Sequence, residues 1–298
     1  DLIFLGDGID TLHLDNQINV IAVHGVEVVV GGASNDTVII EGELSSLSGI
    51  IDNSPAHQIE NVVNDGYIQI FGETTVSTGG NFTNNFNTGL VLDSSHITFD
   101  SFSTQNGGVS LNGSGSTGSS LTITNGSLTN HGHFSSTSSD PNASFVNEFS
   151  GDLVNSSTGF IHASQDLTFL PGSSLDVRQG FIGLSSGVIL RFDGATLMVG
   201  DNSGSSEIFG GSSAIVRLDG TSTLAITGSY NITRAGPILD FPGPVNVTGG
   251  TLIVEPGAWL ELTGDDIDAD LENSGTIVVN NGITSLDGGF TNSGALFI

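Results

Sequence analysis

The side chains of this sequence best suited to chemistry are carboxylates, and their densest group is GDDIDADLE, Gly264 to Glu272. Asp266, Asp268 and Asp270 stand at alternate positions with Glu272 after them, so the run offers the hard oxygen ligands that Ca²⁺ takes. It lacks the sixth-position Gly and the distal Glu of an EF-hand loop, and a solvated acidic turn is the competing reading. His131 and His133, in HGH, could share a strand face and bind Zn²⁺, but no third ligand stands near them. A lyase-type site would need a basic residue beside the carboxylates to remove a proton or steady charge. The only cationic side chains are Arg178, Arg191, Arg217 and Arg234, none inside a recognisable signature, with Arg191 and Arg217 the pair placed to meet on nearby coils. A hydrolase working with two carboxylates shows itself only in geometry, and among 32 acidic residues no pair stands out. No catalytic residue is therefore nominated, and the expectation is that the chain is not an enzyme.

Those 32 acidic residues face 4 basic ones, a formal net charge of -28. Neutralising a phosphate backbone requires basic side chains, so nucleic acid is excluded as a partner, and an anionic membrane surface is disfavoured for the same reason. The charge favours solubility and bound cations. There is no Cys for a disulfide or thiol chemistry, and no apolar run long enough for a membrane-spanning helix, so no membrane insertion is expected.

The elements that must position these residues are short strands. LENSGTIVV (Leu271 to Val279) and FTNSGALFI (Phe290 to Ile298) are near copies, each reading as strand, turn, strand. TLMVG at Thr196, TLAITG at Thr223 and TLIVEPG at Thr251 form a second set of copies, more widely spaced than the first. FTNNF (Phe82 to Phe86), LTNHGHF (Leu128 to Phe134) and LVNSSTGFI (Leu153 to Ile161) carry Asn at a similar place, and stacked Asn side chains can form an amide ladder. A unit of this size cannot bury its apolar face without a neighbour stacked on it. The sequence therefore predicts an all-β protein, a parallel β-helix or β-solenoid, lined by Phe, Leu, Ile and Val and stacked at about 4.8 Å per coil. Gly107 to Ser127 and Ser135 to Ser144 read as protruding Gly/Ser-rich loops.

In LGDGIDTLHL (Leu5 to Leu14), Gly6, Gly8, Asp10 and Leu12 follow the pattern Gly-x-Gly-x-Asp with an apolar residue after it; in VGGASNDTVII (Val30 to Ile40), Gly32, Asp36 and Val38 match and Ser34 replaces a Gly. This stretch resembles the repeats-in-toxin, or haemolysin-type, calcium-binding motif. The resemblance implies a β-roll relative and Ca²⁺ at Asp7, Asp10 and Asp36, beside the simpler reading in which these side chains close turns. The family builds its site from tandem half-coils, whereas the copies here, aligned on Asp10 and Asp36, stand too far apart to form that tandem. The expected organisation is a start of this type over 1–44, an irregular transition over 45–66 containing Pro55, and a parallel β-helix over 67–298.

The SGTI and NSGAL turns and the TLxV strands resemble those of right-handed parallel β-helix surface proteins, such as filamentous-haemagglutinin-like and autotransporter passenger domains. That resemblance implies a right-handed coil, an extracellular or cell-surface location, and a non-catalytic structural or adhesive role. The alternatives are a polysaccharide lyase or hydrolase, or an adhesin tip binding a glycan or another surface ligand, on the same fold. Tyr230 and Trp259 are single aromatic residues able to stack on a sugar. The chain opens DLIFL and closes ALFI, and neither end carries a polar cap. The expectation is either a segment of a longer solenoid, or subunits that stack end to end into a filament.

Overall fold

Runs of three to five Val, Ile, Leu, Phe and Thr residues, broken by Gly, Asn, Ser and Asp, are too short for helices, and as strands they leave backbone N–H and C=O groups that need partners above and below. The computed structural model meets that need as a parallel β-solenoid. It describes residues 2–4, 11–13, 20–24, 28–30, 36–40, 43–44, 51–52, 59–64, 67–71, 75–85, 89–113, 117–138, 145–200, 207–211, 213–234, 236–280 and 285–298. Among them there is no helix. The chain forms two units, Asp1–Asp152 and Leu153–Ile298.

In the first unit the strand Gly89–Asp93 lies parallel between Tyr67–Phe71 and Gly108–Gly113, and the latter pairs onward with His133–Ser138. Alternation puts Leu90, Val109 and Phe134 in one buried column. Phe82 stacks on Phe99 at 4.6 Å between ring centroids, and both meet Phe102 edge-on. Asn64, Asn84, Gln105 and Asn130 stand opposite one another in one register column, the place that the expected amide ladder would occupy. Asn84 is fully buried and donates through Nδ2 to Gly108 O at 3.0 Å. A second buried corner runs through Ser95, Ser119 and Asn147: Ser95 N donates to Ser119 Oγ, and Ser119 N to Asn147 Oδ1 at 2.7 Å.

The segment 45–66, read from sequence as irregular, contains strands Ile51–Asp52 and Ile59–Asn64, and the second pairs on both sides, with Asp36–Ile40 and Thr75–Asn84. The two haemolysin-like copies fall on different sheets. Thr11 lies opposite Val28, while Thr37 lies opposite Val20, so the coil closes sooner than the distance from Asp10 to Asp36, and that distance is not a coil repeat. Of the stretches read as protruding Gly/Ser-rich loops, 108–113, 120–127 and 135–138 are strand, and 114–116 and 139–144 lie outside the described residues.

In the second unit a coil has three strands. Ile189–Asp193, Thr196–Val199 and Glu207–Gly210 are followed by Ile215–Asp219, Thr223–Ile226 and Ser229–Ile232. The first strands of the two coils pair, as do the second, giving the buried columns Leu190–Val216–Leu239 and Leu197–Leu224–Val247–Ile267. The repeat that begins at Leu271 and again at Phe290 is one coil near the end of the unit: Leu271 faces Phe290, Asn273 faces Asn292 and Thr276 faces Ala295. Thr196 faces Thr223 as the TL repeat predicts, but Thr223 faces Asn246, and Thr251 faces Ser229. Gly249 and Gly250, both at positive φ, turn the strand Asn246–Val254 between these partners, so the third TL copy sits on a different face from the second.

Candidate functional site

Arg178, Arg191 and Arg217 are tied to carboxylates. Leu190 and Phe192 point inward, so Arg191 between them points out, and the register sets Arg191, Arg217 and Asp240 in one external column with Asp193 and Asp219 in the next. Like charges directly opposite each other destabilise a sheet, and the interleaved carboxylates offset that cost. Arg191 Nε lies 2.9 Å from Asp219 Oδ2, and Arg217 donates to Asp240 Oδ2 from Nε at 2.8 Å. Each pair links a coil to the next one. Burial pushes the Asp219 carboxyl above its ordinary value and the charges of Asp193 and Asp240 add to this, against the opposing pull of Arg191 and Arg217.

Arg178 binds Asp176 with both prongs of its guanidinium, at 2.9 and 2.6 Å, and its backbone N–H donates to the same carboxylate. Burial raises the Asp176 pKa, but the hydrogen bonds and charge of Arg178 together outweigh it and hold the carboxyl below its usual range. The pair lines a cleft with Val154, Asn155, Gln179 and Thr227.

The acidic run is a strand rather than a turn. Over Asp266–Asn273, Ile267, Ala269, Leu271 and Asn273 are buried while Asp266, Asp268, Asp270 and Glu272 are exposed. Alternate residues of a strand are separated by about 7 Å along one face, too far for neighbouring carboxylates to converge on a single ion without help from another element. Two of them instead bond to the next coil: Asp266 accepts from Ser285 Oγ, and Asp270 Oδ1 from Gly289 N at 2.7 Å. Asp7 and Asp10 lie outside the described residues; Asp36 is the first residue of a strand whose side chains also lie outside them. His131 and His133 are both exposed at the edge of a strand. Among the described residues no group of three His, Asp or Glu stands close enough to hold a metal ion.

No family model, curated protein or solved structure matches this chain.

The residue that sequence reading missed is Asp265, immediately before the exposed acids. It is fully buried, in a corner column with Ser222 and Val245. Its Oδ1 accepts from Val245 N at 2.9 Å and its Oδ2 from Thr263 N at 2.6 Å. Burial pushes its pKa up to about 6, and the two backbone donors oppose that rise. Ser222 does the same work two coils earlier, accepting from Ala195 N and donating to Phe192 O at 2.8 Å. The available signal was the strand alternation itself, which puts 265, 267, 269 and 271 on the inside once Ile267 is placed there. Of the two aromatic candidates for stacking on a sugar, Trp259 is exposed, while Tyr230 is turned inward and only 8% exposed.

Proposed function

We propose that this chain is a non-catalytic structural or adhesive segment of an extracellular or cell-surface protein, in which the solenoid serves as a stiff stack, assembled end to end into a filament or built into a giant adhesin. The observation that carries this reading is what the charged side chains do. Asp166 accepts from Ile189 N, Asp219 and Asp240 pair with Arg191 and Arg217, Asp265 accepts from Val245 N, and Asp270 from Gly289 N; every one of these contacts joins neighbouring coils. Carboxylates held this way stiffen a stack along its axis. The apolar layer of Leu271, Ile277 and Val279 opens at Phe290, Leu296 and Ile298, a surface that a further coil, from the same polypeptide or a second copy, would cover. The surface location rests on the resemblance of the turns to those of β-helix surface proteins.

Electron microscopy and sedimentation of the purified chain over a range of concentrations, with and without Ca²⁺, test the proposal. Linear assemblies that shorten in Leu296→Glu are expected; a strictly monomeric protein that turns over a polysaccharide would overturn it. A carbohydrate-active enzyme is the second reading, favoured by the adjacency of Arg191 and Arg217 to Asp193, Asp219 and Asp240. Under that reading Asp219→Asn abolishes turnover in a polysaccharide cleavage screen, and under the first there is no turnover to abolish.

A further inference from the structure

The third face of the second unit is interrupted. The strands Ile189–Asp193 and Ile215–Asp219 pair, and Thr196–Val199 and Thr223–Ile226 pair, so the next strands in each coil, Glu207–Gly210 and Ser229–Ile232, should pair as well. They do not: the sheet that contains Glu207–Gly210 ends there, and among the described residues Ser229–Ile232 pairs with Asn246–Val254 on its other side alone. The two coils meet again at both ends of the gap, through Thr227 N to Val199 O at 2.9 Å and Ile238 N to Ala214 O at 2.9 Å. The opening is therefore a lens between two adjacent coils rather than a missing layer.

The core shows through this lens. Leu190, Leu224 and Leu252, each with a strand partner on both sides, are 0% exposed, whereas Ile208, Tyr230 and Ile232, beside the gap, are 7%, 8% and 5% exposed. These three residues, with Phe209, Val216 and Leu239, make the apolar wall of a cleft of about 100 Å³. Phe209 stands at the mouth, 43% exposed and stacked against Phe160 at 6.1 Å. Asn231 and Thr233 are the polar side chains of the lining, and among the described residues no charged side chain belongs to it. Thr233 Oγ1 accepts from Gly236 N at 3.0 Å, which leaves its own proton as a donor.

We propose that this cleft is a binding site for one small, neutral, apolar molecule, an aromatic ring or branched alkyl group of up to about benzene size, with room for a single hydrogen-bond acceptor beside Thr233. Size excludes a helix or a peptide strand. An apolar cavity of about 150 Å³ takes up benzene; this cleft has about two-thirds of that volume and is open at its Phe209 mouth, so a single ring is the upper limit. The lack of charge in the wall, in a chain carrying -28 overall, excludes an anion. The site is independent of the stacking role, because it opens on the side of the coils and not along their axis.

Titration of the methyl-labelled protein with benzene, followed by NMR, tests the site. Saturable shifts are expected at the methyls of Ile208, Val216, Ile232 and Leu239, with none at Ile267 or Leu271. Phe209→Ala, at an exposed position the fold tolerates, removes one wall and weakens binding at least about fivefold, the equivalent of roughly 1 kcal/mol of lost apolar contact. Val216→Phe fills the cleft and abolishes the shifts while the Ile267 and Leu271 methyls stay in place. No saturable shift up to the solubility limit of benzene would overturn the proposal, as would shifts of equal size beside the exposed Trp259 and Leu296.

Discussion

Two stretches of the second unit build coils by opposite means. Between Asp266 and Phe297 the coil keeps one length, with Asp266 facing Ser285, Leu271 facing Phe290 and Thr276 facing Ala295. Its corner is held by Asn273, whose Oδ1 accepts from Gly275 N at 3.0 Å and whose Nδ2 donates to Asn292 Oδ1 at 2.8 Å. Gly at 275 is required by the close approach of the coils: a Cβ there would lie 2.3 Å from Glu255 O. Between Thr196 and Asn246 the coil shortens, since Thr196 faces Thr223 but Thr223 already faces Asn246, and the corner after Ile232 runs through Gly236 and Pro237. Pro has no N–H to give to a ladder. Among the described residues the ladder is intact in the first stretch and faulted in the second. Coil regularity here is thus set at the corners, by side chains that replace backbone partners, more than by the strands between them.

The largest test of this difference is core truncation. Phe192 is fully buried and stacked on Phe169 at 5.1 Å, within an unbroken ladder. Phe192→Ala should cost about 3–5 kcal/mol in denaturant unfolding. Ile232→Ala, beside the fault, should fall near the lower end for such a deletion, about 2 kcal/mol, because the space it leaves joins an existing cleft instead of making a closed cavity. Equal costs at the two sites would mean that the fault closes in solution.

The solenoid itself was legible because its evidence is redundant: short runs of β-forming residues, Gly/Asn punctuation and the Leu271/Phe290 repeat all point one way. That repeat identified a true coil, since both of its strands and its corner recur together. The TL copy at Thr251 did not, because two apolar residues after a Thr fit any inward-facing strand, and only the Gly249–Gly250 turn reveals the change of face. The acidic run misled for a related reason. The carboxylates from Asp266 to Glu272 draw attention to charge, while the buried Ile267, Ala269 and Leu271 between them decide the conformation. The spacing of Arg191 and Arg217 suggests a pair on nearby coils, but the Asp219 and Asp240 contacts that tie them depend on register, which spacing alone does not give.

The corners differ in their response to acid. Asp265 has a pKa of about 6 in the folded protein, above the ordinary 3.8. The folded state therefore holds its proton where the unfolded state has released it, and stability falls as pH rises from about 4 through about 6. The difference is worth up to about 3 kcal/mol at this site. Unfolding of the wild type and of Asp265→Ser, which places the side chain of Ser222 in the same column, should be compared across that window. The difference between the two curves isolates Asp265 from the general repulsion among the other acids, and a pH-independent difference would show that the carboxylate is not strained by its burial. At the Asn corner, Asn273→Ala removes the Nδ2 donor to Ala295 O and one of the acceptors of Gly275 N, and should cost about 1–2 kcal/mol with no dependence on pH in this range.

The smallest effect belongs to the external arginines. Arg217 and Asp240 are each about a quarter exposed, and their ion pair is double, with Nε at 2.8 Å and the second nitrogen at 2.7 Å. Arg217→Ala should nonetheless cost only about 0.5–1 kcal/mol, because solvent screens the pair and ordering a long side chain opposes it. Its consequence should be larger in one respect. Without Arg217, Asp219 keeps Asp193 and Asp240 as neighbours and loses one of the two positive charges that restrain its pKa, so that pKa should rise further. Carboxyl titration by NMR in wild type and Arg217→Ala reads this directly. A rise at Asp219 with little change in unfolding free energy would mark the column as an electrostatic arrangement that adds little to stability. A loss of several kcal/mol would instead make these pairs part of what holds one coil on the next.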